Sequence, residues 1–212
     1  VSKPPILFIH GSWVTAKYWE HWIPFFEDLG YEVHAAEWPG INGRTPEEVR
    51  ADPLPLANKH IEEIIGYYEA FIHKLLSPSI IIGHSLGGLL AQTLFNVSTT
   101  VSISEQRFHW AFVNNTTSDK SREYYERYCV PGVARVPWQL TTYVAGRQSA
   151  PTYVEFDRVD RAPLLLLSAS KDHIVPPETV FKNFKAYTGL SLVEYKMFPG
   201  RTHGLIFQPG WE

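Results

Sequence analysis

Four short motifs of this sequence combine glycine with residues capable of nucleophilic or acid–base chemistry. They are His10-Gly11-Ser12-Trp13, Gly83-His84-Ser85-Leu86-Gly87-Gly88, Lys171-Asp172-His173 and Gly200-Arg201-Thr202-His203. The second has the spacing G-x-S-x-G, which lets a strand and a helix approach closely around a serine in a strained turn. The serine hydroxyl then projects at a helix N-terminus, where backbone N–H groups favour developing negative charge. The pattern predicts that Ser85 is a nucleophile; the alternative is a glycine-rich turn that only packs.

A serine hydroxyl is a weak nucleophile and needs a base, and nine histidines are available. His203 is the favoured candidate, because it lies in a loop after the last predicted strand, in the order Ser…Asp…His. His10 and His84 flank glycines and are interpreted as structural residues, and His173 adjoins the favoured acid. The remaining histidines fall on predicted helix, strand or lid segments: His21, His34, His60, His73 and His109.

An acid that orients the imidazole should follow a strand that lies between the serine and the histidine in sequence. Asp172 does so, directly after the apolar run Arg161–Ala169. Glu105 is the rival, after a weaker predicted strand. Asp157 and Asp160 precede a strand and therefore fall at the wrong end of the sheet.

Stabilisation of an oxyanion requires backbone N–H groups near the serine. One is predicted from Leu86, the residue after the nucleophile, and one from Ser12, in the loop after the first strand, with Trp13 beside it. Aromatic residues make up 14% of the chain, which favours an apolar pocket. Its predicted walls are Trp13, Trp110, Phe112, Tyr143 and Trp138, and packing in the core or lid is the alternative for each.

The elements that must position these residues alternate between apolar strands and amphipathic helices. The predicted strands are Pro4–His10, Tyr31–Trp38, Ser79–Gly83, Thr99–Ser104, Arg161–Ala169 and Leu192–Phe198. The predicted helices are Thr15–Leu29, Leu56–Leu76, Leu86–Phe95 and Pro177–Tyr187, with a helical patch near Ser118–Tyr128. The stretch that follows Pro39-Gly40 and runs to Pro55 is rich in turn formers and is predicted to loop over the surface. Such alternation predicts an α/β fold with a mostly parallel sheet and ligands beyond the carboxyl ends of its strands.

Composition narrows the class of protein. A chain of 212 residues with 44% apolar and 19% charged residues suits one globular core. The net charge of −3 without a basic block argues against nucleic acid as a partner, and no apolar run is long enough to span a membrane. The single cysteine, Cys129, excludes an intrachain disulfide and a multi-cysteine zinc site, and the composition is typical of a cytoplasmic protein.

Taken together, HGSW, GHSLGG, KDHIVPP and GRTHG resemble the motifs of the α/β-hydrolase fold superfamily, and most of all its small serine hydrolases of the esterase or lipase type. The resemblance covers nearly the whole chain. It implies a mostly parallel sheet with helices on both faces, built from residues 1–104 and 161–212, and a short helical lid over residues 105–160. It also implies an acyl-enzyme on Ser85, a small-molecule substrate, and neither a metal nor an organic cofactor.

The sequence begins at Val1 without a methionine, so we expect the natural start upstream. It departs from the family pattern in two places, the first of which is its end at Trp211-Glu212, where the fold usually adds a final helix. Ser85 and Asp172 are only 87 positions apart, which is short for a strand, a lid and their connections. We therefore predict that a lid segment is absent near Ser104–Glu105, either as a gap in the structure or as a deletion from the chain. The oligomeric state is left open.

Three functions compete. The first is hydrolysis of a small apolar or aromatic ester, thioester or lactone, with His203 as base and Asp172 orienting it. The second keeps these residues but performs acyl transfer, carbon–carbon or cyanohydrin lysis, or a cyclisation, with His203 as general base. The third is a binding protein without activity, which the retention of all three residues argues against. Ser85 also argues against epoxide hydrolases and dehalogenases, which place aspartate at this position.

Overall fold

A computed structural model describes residues 3–57, 59, 61–75, 77–93, 103–131, 154–159, 162–189 and 191–211. It divides the chain into two compact units. The first comprises Val1–Ile103 with Glu126–Tyr153, and the second comprises Ser104–Tyr125 with Val154–Glu212. Among the described residues, no helix is long and apolar enough to cross a membrane.

The first unit is built around a three-stranded parallel sheet. Its strands are β1 (Ile6–Ile9), β2 (Val33–Ala35) and β3 (Ile80–Gly83), in the order β2-β1-β3. Ile6 is in register with Val33 on one side and with Ile80 on the other. All four residues of β1 are buried, which is why this strand is an uninterrupted apolar run.

The helices of the first unit cover this sheet. In the described part of this unit, the helices are a 3-10 helix (Ala16–Trp19), α1 (Trp22–Asp28), α2 (Pro46–Ala51), α3 (Leu54–Ala57), α4 (Ile61–Lys74) and α5 (Leu86–Thr93). One core cluster joins β1 to α4 and α5, with Leu7, Ile64, Tyr68 and Leu90 among its members. On β1, Phe8 stacks on Trp19 with ring centroids 4.6 Å apart.

The prediction of a surface loop up to Pro55 is wrong, because α2 lies within it. Thr45 Oγ1 accepts a hydrogen bond from the Glu48 backbone N–H, and the Glu48 carboxylate accepts one from the Thr45 N–H. This capping box satisfies two N–H groups that a helix start would otherwise leave unpaired. Pro46 at the first helical position fixes a helical φ. Local capping therefore starts a helix in a stretch otherwise rich in turn formers.

Within its described residues, the second unit contains a parallel pair of strands and three helices. The strands are β4 (Leu164–Ala169) and β5 (Val193–Phe198), in register from Leu164↔Val193 to Ala169↔Phe198. The helices are α6 (Glu105–Phe112), α7 (Ser118–Tyr128), which continues into the first unit, and α8 (Pro177–Ala186). Two phenylalanines of α8, Phe181 and Phe184, pack on Tyr195 of β5 with centroid distances of 5.3 and 5.7 Å.

The start of α6 bears on the predicted lid. Ser104 is the N-cap of this helix, and its Oγ accepts a hydrogen bond from Arg107 N at 3.3 Å. Ser104 and Glu105 are thus consecutive residues of one helix start, so the structure has no gap at this join. The other alternative, a deletion of the lid segment from the chain, stays a prediction. Residues 99–102 of the predicted strand Thr99–Ser104 lie outside the described residues, and its last residue, Ser104, is a helix cap and not part of a strand. The division into core and lid stays a prediction.

Candidate active site

Ser85 occupies the turn between β3 and α5 that the G-x-S-x-G spacing predicts. Its φ of +57° lies in the left-handed region, which is costly for a residue with a side chain. Gly87 N donates to His84 O at 2.8 Å, and Gly88 N donates to Ser85 O at 3.0 Å, so the turn leads directly into the helix. The serine side chain is thus presented from a strained backbone at the N-terminus of α5.

Glycines make this close approach of strand and helix possible. A Cβ on Gly83 would lie 2.2 Å from Gly87 O, and a Cβ on Gly87 would lie 2.2 Å from Ile9 O. Neither position has room for any other residue, since both clashes are with backbone atoms. A Cβ on Gly11 would lie 2.8 Å from the Ser85 Cβ, so the loop after β1 passes directly beside the serine.

The predicted oxyanion donors lie in this first unit. Ser12 is buried and follows Gly11, and Leu86 follows Ser85. Neither backbone N–H donates to another group within the part of the chain that the structure describes. Trp13, the next residue of the loop, has a φ of +65°, and its carbonyl accepts a hydrogen bond from Val130 N at 2.7 Å. The loop is therefore held in an unusual conformation next to Ser85.

His10 supports this loop, in agreement with its structural interpretation. It is fully buried; its Nδ1–H donates to Gly11 O at 3.0 Å, and its Nε2 accepts from Trp38 N at 3.3 Å. Burial lowers the pKa of His10 to about 4, against the opposing effect of the Gly11 hydrogen bond. The ring is thus neutral at pH 7, as this pair of hydrogen bonds requires.

Glu37 is a neighbour of His10 that the sequence analysis missed. Its Oε2 lies 3.5 Å from His10 Nε2 and accepts a hydrogen bond from Ala16 N at 3.0 Å, beyond the oxyanion loop. Burial raises the pKa of Glu37 to about 7, although the Ala16 hydrogen bond lowers it. The predicted strand Tyr31–Trp38 contains two glutamates, and no local pattern distinguishes the partly buried Glu37 from the exposed Glu32.

In the second unit, the structure brings Asp172 and His203 together. His203 Nδ1 lies 2.7 Å from Asp172 Oδ2, and both side chains are almost fully buried. Asp172 Oδ1 accepts hydrogen bonds from the backbone N–H groups of Ile174 and Val175 at 2.8 and 2.9 Å. Burial would raise the pKa of Asp172, but the His203 bond and charge and these two N–H groups outweigh it and lower that pKa. An ionised carboxylate therefore fixes the His203 ring with its Nδ1 protonated.

The rival acid and the neighbouring histidine have other partners. Glu105 pairs with Arg122 at 3.0 Å on the surface of α6 and α7. His173 turns away from Asp172: its Nδ1 donates to Trp110 O at 2.9 Å, and its ring lies 4.7 Å from the Trp110 ring. Asp157 is exposed, and Asp160 lies outside the described residues.

The predicted pocket walls have different surroundings. Trp13 is half-buried in the loop after β1, and Trp110 on α6 is 59% exposed. Phe112 is buried and packs edge-on against the His203 imidazole, with ring centroids 5.0 Å apart. Tyr143 and Trp138 lie outside the described residues.

Comparison with known proteins identifies the family of the chain. The model of the alpha/beta hydrolase family matches residues 6–211. The chain therefore belongs to the alpha/beta hydrolase family and is a hydrolase of that fold.

Solved structures with the same fold include ester hydrolases. The structure is similar to a monoacylglycerol lipase from Paleococcus ferrophilus, with 18% identity, a TM-score of 0.69 and coverage of 98% of this chain and 90% of that chain. It is also similar to a methylesterase from Arabidopsis, with 11% identity, a TM-score of 0.67 and coverage of 98% and 94%. Tomato methylketone synthase I has 12% identity, a TM-score of 0.64 and coverage of 100% and 95%. No curated protein matches the sequence.

Proposed function

We propose that this hydrolase cleaves a small apolar or aromatic carboxylic ester, thioester or lactone through an acyl-enzyme on Ser85. The observation that carries the proposal is the buried Asp172–His203 hydrogen bond of 2.7 Å. An ionised carboxylate on Nδ1 leaves Nε2 as the basic nitrogen and stabilises the imidazolium that forms when Nε2 takes a proton. A neutral amide or a solvent-exposed carboxylate would do this less well.

In the proposed reaction, His203 Nε2 accepts the Ser85 proton as Oγ attacks the substrate carbonyl carbon. The N–H groups of Ser12 and Leu86 donate to the oxyanion of the tetrahedral intermediate. His203 then protonates the leaving alcohol or thiol, and the carbon–oxygen or carbon–sulfur bond breaks to leave an acyl-serine. A water molecule, deprotonated by His203, hydrolyses that ester and restores Ser85.

Two further observations support this reaction. The strained Ser85 backbone is the geometry that presents a nucleophile at a helix N-terminus. The fold is shared with proteins described as a lipase and a methylesterase. The reaction needs neither a metal nor an organic cofactor, and the single buried cysteine suits a cytoplasmic setting.

A panel of p-nitrophenyl esters of increasing acyl length, together with lactones, tests the proposal with wild-type protein and Ser85→Ala. We expect wild type to release nitrophenol in a burst followed by steady turnover, and Ser85→Ala to show neither. Equal release by both proteins would contradict the acyl-enzyme.

The second candidate is a non-hydrolytic reaction with His203 as general base: acyl transfer, carbon–carbon or cyanohydrin lysis, or a cyclisation. The similarity in fold to a methylketone synthase supports this second candidate. Folded wild-type protein that turns over no ester or lactone in the panel, but consumes a β-keto acid or a cyanohydrin, would replace the first candidate with this one.

A further inference from the structure

The two residues that flank His203 are anchored on the same carbonyl oxygen. Gly204 N donates to Phe112 O at 2.8 Å, and Thr202 Oγ1 lies 2.6 Å from that oxygen. The Phe112 ring also meets the His203 imidazole edge-on, at 5.0 Å. The last residue of α6 therefore fixes the backbone on both sides of the histidine and one edge of its ring.

A chain of side-chain amides extends this anchor. Thr202 Oγ1 lies 2.7 Å from Gln208 Oε1, Gln208 Nε2 donates to Asn115 Oδ1 at 2.7 Å, and Asn115 Nδ2 donates to Gly200 O at 3.0 Å. The single Thr202 hydroxyl proton is thus shared between two acceptors, Phe112 O and Gln208 Oε1. The hydrogen bonds connect the beginning of the histidine loop, its end and the segment after α6.

This network is more specific than loop packing requires. Thr202 is fully buried and Gln208 is 5% exposed, and burying a hydroxyl and an amide is unfavourable unless they are hydrogen-bonded. Apolar side chains would fill the same space without that cost, but they would not fix the orientation of the histidine loop as directional hydrogen bonds do. A Cβ on Gly204 would lie 2.9 Å from Phe112 O, so only glycine allows the loop to approach the end of α6 this closely.

We propose that Thr202 and Gln208 are positioning residues for His203. They hold the backbone of the histidine loop so that the imidazole stays in line with Asp172, and they touch no reacting atom. The inference rests on the proposed function only in taking His203 as the base, because the network itself is a property of the resting protein.

The test compares Thr202→Val, which keeps the shape and removes the hydroxyl, with the conservative variant Thr202→Ser. Gln208→Met breaks the network at its far end and serves as a second variant if Thr202→Val fails to fold. Leu166→Val removes one buried methylene from β4 in the same unit and controls for lost stability alone.

Two measurements separate positioning from simple stability. The first is the proton NMR resonance of the His203 Nδ1–H, which a short bond to a carboxylate moves far downfield. We expect Thr202→Val and Gln208→Met to broaden or lose this resonance at a temperature where the protein stays folded, and Thr202→Ser and Leu166→Val to keep it.

The second measurement is the split between kcat and KM with the best ester of the panel. For Thr202→Val we expect kcat to fall about 10–100-fold and KM to change less than about twofold. A misplaced base stabilises the transition state less well but leaves substrate binding nearly unchanged. Thr202→Ser should restore kcat to within about threefold of wild type. The proposal would be overturned if Thr202→Val kept both the resonance and the wild-type kcat. It would also be overturned if Leu166→Val lost them to the same extent as Thr202→Val. If wild type cleaves no ester, the NMR comparison still decides the positioning role, so the two proposals fail separately.

Discussion

Asp172 and Glu37 each lie next to a buried histidine, and their surroundings shift the pKa values of the two carboxyl groups in opposite directions. Asp172 accepts from His203, Ile174 and Val175, and these donors outweigh burial, so its pKa is lowered. Glu37 has the single N–H of Ala16, which does not offset burial, and its pKa is raised to about 7. The number of donors that face each carboxylate therefore decides its charge.

The raised pKa of Glu37 predicts how stability depends on pH. A folded pKa of about 7 against an ordinary 4.5 means that the stability from protonated Glu37 is complete below pH 4.5 and is lost as pH rises through 7. His10, lowered from 6.5 to about 4, has the opposite effect, since its stability is lost as pH falls from 6.5 through 4. Between pH 4.5 and 6.5 the two slopes nearly cancel.

The substitution Glu37→Gln keeps an acceptor for Ala16 N and removes the pH dependence of stability that Glu37 causes. We expect the free energy of unfolding of the variant, measured by urea denaturation, to rise relative to wild type between pH 4.5 and 7 by about 2 kcal/mol. Glu105→Gln, at an exposed carboxylate, should run parallel to wild type. A parallel curve for Glu37→Gln as well would show that Glu37 ionises normally.

At the scale of elements, glycine has opposite effects in two helices of the first unit. At Gly87 in α5, a Cβ would meet Ile9 O at 2.2 Å, whereas Gly66 in α4 has nothing within 4 Å of the same point. We expect Gly66→Ala to stabilise the protein by about 0.5–1 kcal/mol, through helix propensity and a less flexible unfolded chain.

The same change at Gly87 should destabilise by more than about 4 kcal/mol, because strand and helix must separate. Thermal unfolding followed by circular dichroism at 222 nm measures both variants against wild type. If Gly87→Ala were as stable as Gly66→Ala, β1 and α5 would not pack as closely as the structure has them.

Elements with an apolar period were predictable in type but not always in their bounds, since the predicted helix Thr15–Leu29 is a 3-10 helix over Ala16–Trp19 followed by α1 over Trp22–Asp28. The predicted helix Pro177–Tyr187 is observed as Pro177–Ala186, and the patch Ser118–Tyr128 is a helix over that range. The helix α2 was missed because its signal is a capping box rather than a period. Fold class and the Asp172–His203 contact followed from motif order.

The surroundings of the site residues could not be predicted. Glu37, Thr202 and Gln208 have their roles through contacts between segments distant in sequence, such as Thr202 with Phe112, 90 residues apart. No local pattern carries that information, because such contacts are set by the packing of the whole unit.

At the scale of the molecule, the proposed reaction requires residues of both compact units to act on one substrate. Ser85, Ser12 and Leu86 belong to the first unit, and Asp172 and His203 belong to the second. Residues that act as a single catalytic group are strongly non-additive when they are mutated. Kinetic coupling therefore tests the joint action of the two units without reference to a natural substrate.

The measurement is the rate at which an alkyl fluorophosphonate labels Ser85, since this reaction needs an activated serine but no turnover. We expect His203→Ala and Asp172→Asn each to slow labelling on the order of 10³-fold, and the double variant to be no slower than His203→Ala alone. Without His203, the carboxylate has no imidazole to orient, so its loss can have no further effect. Ser85→Ala should take up no label, and Glu105→Gln should label at the wild-type rate. If the effects of the two single variants instead multiply in the double variant, Asp172 acts independently of His203. The proposal that Asp172 works by orienting the His203 imidazole toward Ser85 would then be wrong.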